Sequence, residues 1–66
     1  MLEDKDMKVG SVILSTHNYD CVKPGEVFEI ISESPLKIWH HRVRRTWFIN
    51  SDKFVPFSVE EMEKYV

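Results

Sequence analysis

The chain has little of what a disulfide-stabilised domain, a membrane span or a signal peptide requires. Its 66 residues include one cysteine, Cys21, which cannot form an internal disulfide and therefore fits a reducing cytosol. The longest apolar runs, residues 12–14 and residues 28–32 with Glu29 inside, are too short to cross a bilayer. The acidic start, residues 1–6, does not resemble a signal peptide. We therefore expect a cytoplasmic protein with no membrane association.

The sequence also lacks the usual features of an enzyme. There are only two glycines, so no glycine-rich phosphate loop is present. His17 with Ser15 or Cys21 is not a recognisable nucleophile arrangement. One small domain leaves little room for a ligand pocket, which typically occupies about 300–1,000 Å³. These absences predict a protein without enzymatic activity and without a cofactor.

A metal site is not expected either. The candidate ligands are His17, Cys21, His40 and His41. The spacing of His17 and Cys21 is not that of a zinc ribbon, and adjacent histidines on a strand point to opposite faces. Cys21 is instead interpreted as a small, half-buried hydrophobic residue before Val22.

Alternating apolar and polar residues predict a chain of short β-strands. The predicted strands cover residues 9–14, 26–33, 36–40, 45–50 and 54–57. Pro24 and Gly25 fit a type II turn, and Pro35 ends the second strand. Residues 41–44 are expected to form a turn and residues 51–53 a 3₁₀ turn. Ser58 and Glu61 form a capping box, which predicts a short helix reaching Tyr65.

These elements predict a mainly β fold, a small barrel of four to five antiparallel strands with a short C-terminal helix. Residues 1–6 are expected to form a frayed, flexible arm, residues 7–57 the barrel, and residues 58–66 a helix packed on the barrel or on a partner. Closure is expected because an open sheet of this size exposes its edges. The predicted core residues are Val9, Val12, Leu14, Val27, Phe28, Ile30, Ile38, Trp47, Ile49, Phe54 and Val55.

Three runs resemble the small SH3-like β-barrel proteins found in tailed bacteriophages: MKVG at residues 7–10, VKPGEVFEI at residues 22–30, and WFINSDKF at residues 47–54. The last run also resembles the strand, 3₁₀ turn and strand that close SH3 barrels. The resemblance covers residues 7–57 and implies an SH3-like barrel of phage origin. The turn HRVRR at residues 41–45 departs from the family, in which it is usually acidic or rich in glycine. The acidic, tyrosine-rich first loop of proline-peptide-binding SH3 domains is also missing.

The charge is distributed very unevenly. Between Glu33 and Asp52 there is no acidic residue and there are four basic ones, whereas the rest of the chain holds five basic and eleven acidic residues. Arginine suits bidentate pairing with carboxylates, and arginine with tryptophan is typical of interface hot spots. We therefore predict that this hairpin binds a partner through Trp39, His41, Arg42, Arg44, Arg45 and Trp47.

Several functions fit such a hairpin. The main hypothesis is a non-enzymatic, phage-encoded modulator or inhibitor that binds a host or phage protein with an acidic surface. The alternative is a nucleic-acid-binding barrel that uses the same arginines and tryptophans. A second alternative is a structural or homo-oligomeric subunit, with an interface formed by Val59, Met62, Tyr65 and Val66. The hairpin could also be only a solvated turn.

Overall fold

Five antiparallel strands and one short helix make up the fold in a computed structural model, which describes residues 2–18 and 20–65. The elements are β1 (Val12–Ser15), β2 (Val27–Glu33), β3 (Leu36–His40), β4 (Arg45–Phe48), β5 (Phe54–Pro56) and α1 (Val59–Glu63), with 3₁₀ helices at Asp4–Asp6 and Ser51–Lys53. The strands form one sheet in the order β4-β3-β2-β1-β5. The predicted mainly β fold with a short C-terminal helix is confirmed.

The sheet is open, so the backbone closure expected of a barrel is not seen. β4 and β5 lie at opposite edges, and no ladder joins them in the described part of the chain. Side chains from outside the sheet cover the core instead. Leu2 and Val22 belong to the same buried cluster as residues of β1, β2, β3 and β5. These two residues remove apolar surface from water without a sixth strand pairing.

The long central strand follows the predicted alternation. Phe28 and Ile30 of β2 are buried, and the residues between and beside them face outward. In β3 the inward residues are Ile38 and His40. The register between β2 and β3 shifts at Ile31, so one extra residue of β2 is accommodated there. The sheet therefore has an inner face against the core and a largely exposed outer face, on which Leu14, the cross-strand partner of Val27, is nevertheless buried.

The predicted core is partly wrong at the strand that begins the sheet. Leu14, Phe28, Ile30, Ile38 and Phe54 are buried as predicted, and Trp47, Ile49 and Val55 are partly buried. Val9, Val12 and Val27 are instead 59%, 42% and 38% exposed. The reason is the register, which pairs Ile13 with Phe28 and so places Val12 and Val27 on the opposite face, whereas Val9 precedes β1 altogether. Ile13 therefore supplies the core contact.

The N-terminal segment, which we expected to be a frayed arm, is packed against the sheet. Leu2 is only 3% exposed, and its N–H donates to the carbonyl of Ser51 at 3.1 Å. The 3₁₀ helix Asp4–Asp6 follows, with the Asp6 carboxylate accepting from the backbone N–H of Glu3. Leu2 is a single apolar residue before the charged residues 3–6, so no periodic pattern marks it as part of the core.

The loop before β2 places Cys21 differently from the prediction. Cys21 is exposed, and the neighbouring Val22 is buried in its place. Ser15, at the end of β1, is also buried, and its hydroxyl donates to the carbonyl of Lys23 at 3.0 Å. This bond satisfies the buried hydroxyl and holds the loop against the strand.

The C-terminal helix begins where predicted but is shorter. The Ser58 hydroxyl accepts from the Glu61 N–H at 3.1 Å, which confirms the N-cap. The Glu61 carboxylate pairs with Lys64, so the returning bond of a capping box is not formed. No residue of α1 is buried, and Val66 lies outside the described residues. No helix in the described part of the chain is long and apolar enough to cross a membrane.

The turn at Pro24 and Gly25 leads to a stability prediction. Gly25 has a φ of +86°, and a Cβ built there would lie 2.5 Å from the Cβ of Tyr65. Gly10 has a similar φ of +92° but has no heavy atom within 4 Å of an added Cβ. We expect Gly10→Ala to lower the free energy of unfolding by about 1 kcal/mol through backbone strain alone. Gly25→Ala should cost clearly more, because Tyr65 must also move.

Urea denaturation of the two glycine variants and the wild type measures this difference. Equal losses in both variants would show that the Tyr65 contact contributes nothing to stability.

Candidate functional site

The β3–β4 hairpin divides the predicted binding residues between the two faces of the sheet. The register pairs Ile38 with Trp47 and Trp39 with Thr46. Because Ile38 is in the core, Trp47 lies on the inner face and Trp39 on the outer face. The two tryptophans therefore do not flank one common surface.

Trp47 and Arg45 hold the loop that precedes β2. The Trp47 ring packs edge-on against Phe28, with centroids 5.7 Å apart, and its indole N–H donates to Asp20 Oδ2 at 3.0 Å. The Arg45 guanidinium lies 3.8 Å from the same oxygen and 5.6 Å from the Trp47 ring centroid. Both side chains are thus engaged within the chain, where they position Asp20 at a φ of +56°.

Arg42 is also engaged within the chain, through Glu26 immediately before β2. Its guanidinium donates to both Glu26 carboxylate oxygens, at 2.7 and 3.0 Å. The buried His40 contributes Nε2 at 2.9 Å from Glu26 Oε1, and the Lys23 N–H donates to Oε2 at 2.9 Å. On the other side of the imidazole, the Val43 N–H lies 3.3 Å from Nδ1. This arrangement fits the tautomer with the proton on Nε2.

The electrostatics of Glu26 reflect these partners. Burial alone would raise the pKa of its carboxyl group. The hydrogen bonds from Arg42 and the Lys23 N–H, with the positive charge of Arg42, outweigh burial and hold the pKa below its ordinary value. Glu26 therefore stays ionised and ties the hairpin turn to the start of β2.

The other three predicted binding residues are Trp39, His41 and Arg44. Within the described residues, their side chains form no hydrogen bond or ion pair of this kind. His41 and Arg44 are exposed, and Trp39 is half-buried. Arg44 has a φ of +54° and donates its N–H to the His40 carbonyl, but its side chain makes no ion pair within residues 2–18 and 20–65. Half of the predicted site is thus available to a partner, and the other half stabilises the fold.

A groove lies on the outer face beside Trp39. Its volume is about 370 Å³, and its lining residues are Val12, Val27, Phe28, Glu29, Trp39 and His41. The register places Val12 beside Glu29 and Glu29 beside Trp39, so these three residues form one row across β1, β2 and β3. Side chains paired in this way have Cβ atoms about 4.5–5.5 Å apart.

The sequence predictions missed the β1 and β2 side of this groove. The sequence pattern predicts Val12 and Val27 in the core, and Glu29 is not among the predicted binding residues. The available signal was the alternation of β2, which places Val27, Glu29 and Ile31 on the face opposite Phe28. An outer face with this many exposed apolar residues is unusual for a surface in contact with water.

No family model, curated protein or solved structure matches this chain. Among the described residues there is also no group of three or more histidine, cysteine, aspartate or glutamate side chains placed to hold a metal ion. The side chains of the groove are the basis for a functional proposal: two valines, a tryptophan, a histidine and a carboxylate.

Proposed function

We propose that the chain is a non-enzymatic protein-binding module that docks through the outer face of β1, β2 and β3. The observation that carries the proposal is the open groove between Val12, Val27 and Trp39. Exposed apolar side chains grouped around a tryptophan are typical of interface hot spots. The surface extends to Phe48, which is 65% exposed on the neighbouring β4.

The charge around this surface supports a protein partner with acidic groups near the hairpin. Lys37 lies on the outer face, with its ammonium 5.4 Å from the Phe48 ring centroid. Arg44 adds an exposed positive charge at the turn. The other two positive charges of the hairpin, on Arg42 and Arg45, already face Glu26 and Asp20. A phosphate backbone would therefore meet few unpaired cations, so protein is favoured over nucleic acid.

The proposal includes a biological setting. The resemblance of residues 7–57 to small barrel proteins of tailed bacteriophages supports a phage-encoded protein that acts in the host cytoplasm. A small folded domain with an exposed aromatic surface suits a modulator or inhibitor of a host or phage protein. Its effect would come from covering a surface of the target.

The substitution Trp39→Ala tests the docking surface. We expect it to reduce capture of the partner from a bacterial lysate by about tenfold or more, because a central tryptophan contributes about 2 kcal/mol or more to such interfaces. Val59→Ala, at an exposed position on α1, is the matched control and should leave capture unchanged. The measurement is quantitative mass spectrometry of proteins retained on the immobilised wild type and variants, with and without nuclease.

Three results would contradict the proposal. Full capture by Trp39→Ala would place the interface elsewhere, and loss in the Val59→Ala control would move it to α1. Capture that disappears with nuclease would favour nucleic acid. An amide NMR spectrum of each variant establishes that the fold is retained.

A further inference from the structure

We propose that the outer-face groove receives a basic side chain, lysine or arginine, from an extended segment of the partner protein. The cation would lie between the Glu29 carboxylate and the Trp39 ring. This inference rests on the proposed function, because it assigns the chemistry of the partner at the same surface.

The first observation is that Glu29 has no cationic partner among the described residues. Its carboxylate makes no hydrogen bond or ion pair with residues 2–18 or 20–65, whereas Glu26 binds Arg42 and His40. The cross-strand neighbours of Glu29 are Val12 on one side and Trp39 on the other. Apolar neighbours cannot stabilise the negative charge of Glu29. A ligand that covers the groove would also remove water from the Glu29 carboxylate. A bound cation would compensate for that loss.

The second observation concerns the aromatic rings of the hairpin. Lys37 lies 5.4 Å from the ring centroid of Phe48, and Arg45 lies 5.6 Å from that of Trp47. Trp39 has no such cation within the described part of the chain, although it sits in the same hairpin. Tryptophan is the best aromatic partner for a cation, because its ring face carries the most negative potential. The face of Trp39 is thus available to an external cation.

The third observation is the apolar character of the groove walls. Val12 and Val27 line the groove together with Trp39. Lysine and arginine bury their methylene stems along such surfaces and place only the charged end beside a polar group. The volume of about 370 Å³ is large enough for one such side chain. Its walls and its carboxylate therefore match the two parts of a basic side chain.

The same features disfavour other ligands. A phosphate or a carboxylate in the groove would be repelled by Glu29. A purely apolar side chain would bury this carboxylate without a partner, which is costly. A cation with an apolar stem pairs with the Glu29 carboxylate and packs against the apolar walls of the groove.

The test uses a defined probe. An acetylated and amidated peptide, Gly-Val-Arg-Val-Gly, is titrated into the intact protein and compared with the peptide in which neutral citrulline replaces arginine. The indole N–H signals are followed by heteronuclear NMR. We expect the Trp39 signal to shift saturably at millimolar peptide and the Trp47 signal to stay in place, since Trp47 lies on the inner face. Citrulline should weaken binding about tenfold or more, because it removes the charge.

The variant Glu29→Gln should weaken binding of the arginine peptide by a similar factor and abolish the preference over citrulline. Glu63→Gln on exposed α1 changes the net charge equally and should bind like the wild type. The inference is overturned if the arginine peptide causes no shift, if citrulline binds equally well, or if Glu29→Gln keeps the preference. Glu29→Gln is also tested in the lysate capture. If capture survives Glu29→Gln but not Trp39→Ala, the proposed binding of a basic side chain is refuted, whereas the proposed docking surface is not.

Discussion

Replacing Phe28 with alanine is expected to unfold a large fraction of the protein at 25 °C. Phe28 is 1% exposed at the centre of the core, with ring centroids 4.8 Å from His40, 5.7 Å from Trp47 and 5.4 Å from Phe54. Truncating a buried phenylalanine costs about 3–5 kcal/mol. In a domain of 66 residues a single hydrophobic core rarely supplies more than about 3–5 kcal/mol of stability, so little or none would remain.

The matched control for this prediction is Phe48→Ala, which removes the same ring from an exposed position. We expect it to cost less than about 1 kcal/mol, because Phe48 is 65% exposed and truncating its ring leaves no buried cavity. Denaturant unfolding followed by circular dichroism measures both variants. Similar losses at the two positions would contradict the assignment of Phe28 as the centre of the core.

The second large effect is expected from Glu26→Gln, which should lower stability at neutral pH by about 1–3 kcal/mol. The substitution removes the charged acceptor of Arg42 and weakens the partner of the buried His40. The loss in unfolding free energy should be larger than that of an exposed ion pair. His40 is buried, so water cannot replace the carboxylate as the hydrogen-bond acceptor of its Nε2–H. Glu63→Gln, on exposed α1, is the control and should change stability little.

The pH dependence of this effect has a definite sign. The pKa of Glu26 in the folded protein lies below its ordinary value of 4.5, so ionised Glu26 stabilises the fold above that pH. The contribution is lost as the pH falls through the lower, folded pKa. The difference in unfolding free energy between wild type and Glu26→Gln should therefore shrink in acid. Urea titrations from neutral pH to below pH 4 measure it, and a difference that stays constant would show that the charge of Glu26 contributes nothing.

Much of the secondary structure could be predicted because its causes are local. The alternation in β2 and β3 reflects the period of two of an extended chain, and it placed Phe28 and Ile38 in the core correctly. The turn at Gly25 and the helix start at Ser58 follow from backbone and hydroxyl chemistry within a few residues. The mainly β class followed from the same short-range patterns.

The core could be predicted only in part, because burial depends on what covers each face. Val12 and Val27 have the side chains of core residues but lie on the outer face. Leu2 lies close to the chain terminus and nevertheless enters the core, where its N–H is bound by Ser51. Such contacts join residues far apart in sequence, and neither propensity nor alternation encodes which segment will cover the sheet.

The basic character of the β3–β4 hairpin was determined by the sequence, since the four basic residues between Glu33 and Asp52 mark it without reference to any structure. Only the tertiary structure decided which of them a partner can reach. Arg42 meets Glu26 sixteen residues away, and Trp47 meets Asp20 twenty-seven residues away, so both are held within the fold. The cross-strand register then separates Trp39 from Trp47, because a shift of one residue between paired strands would exchange their faces.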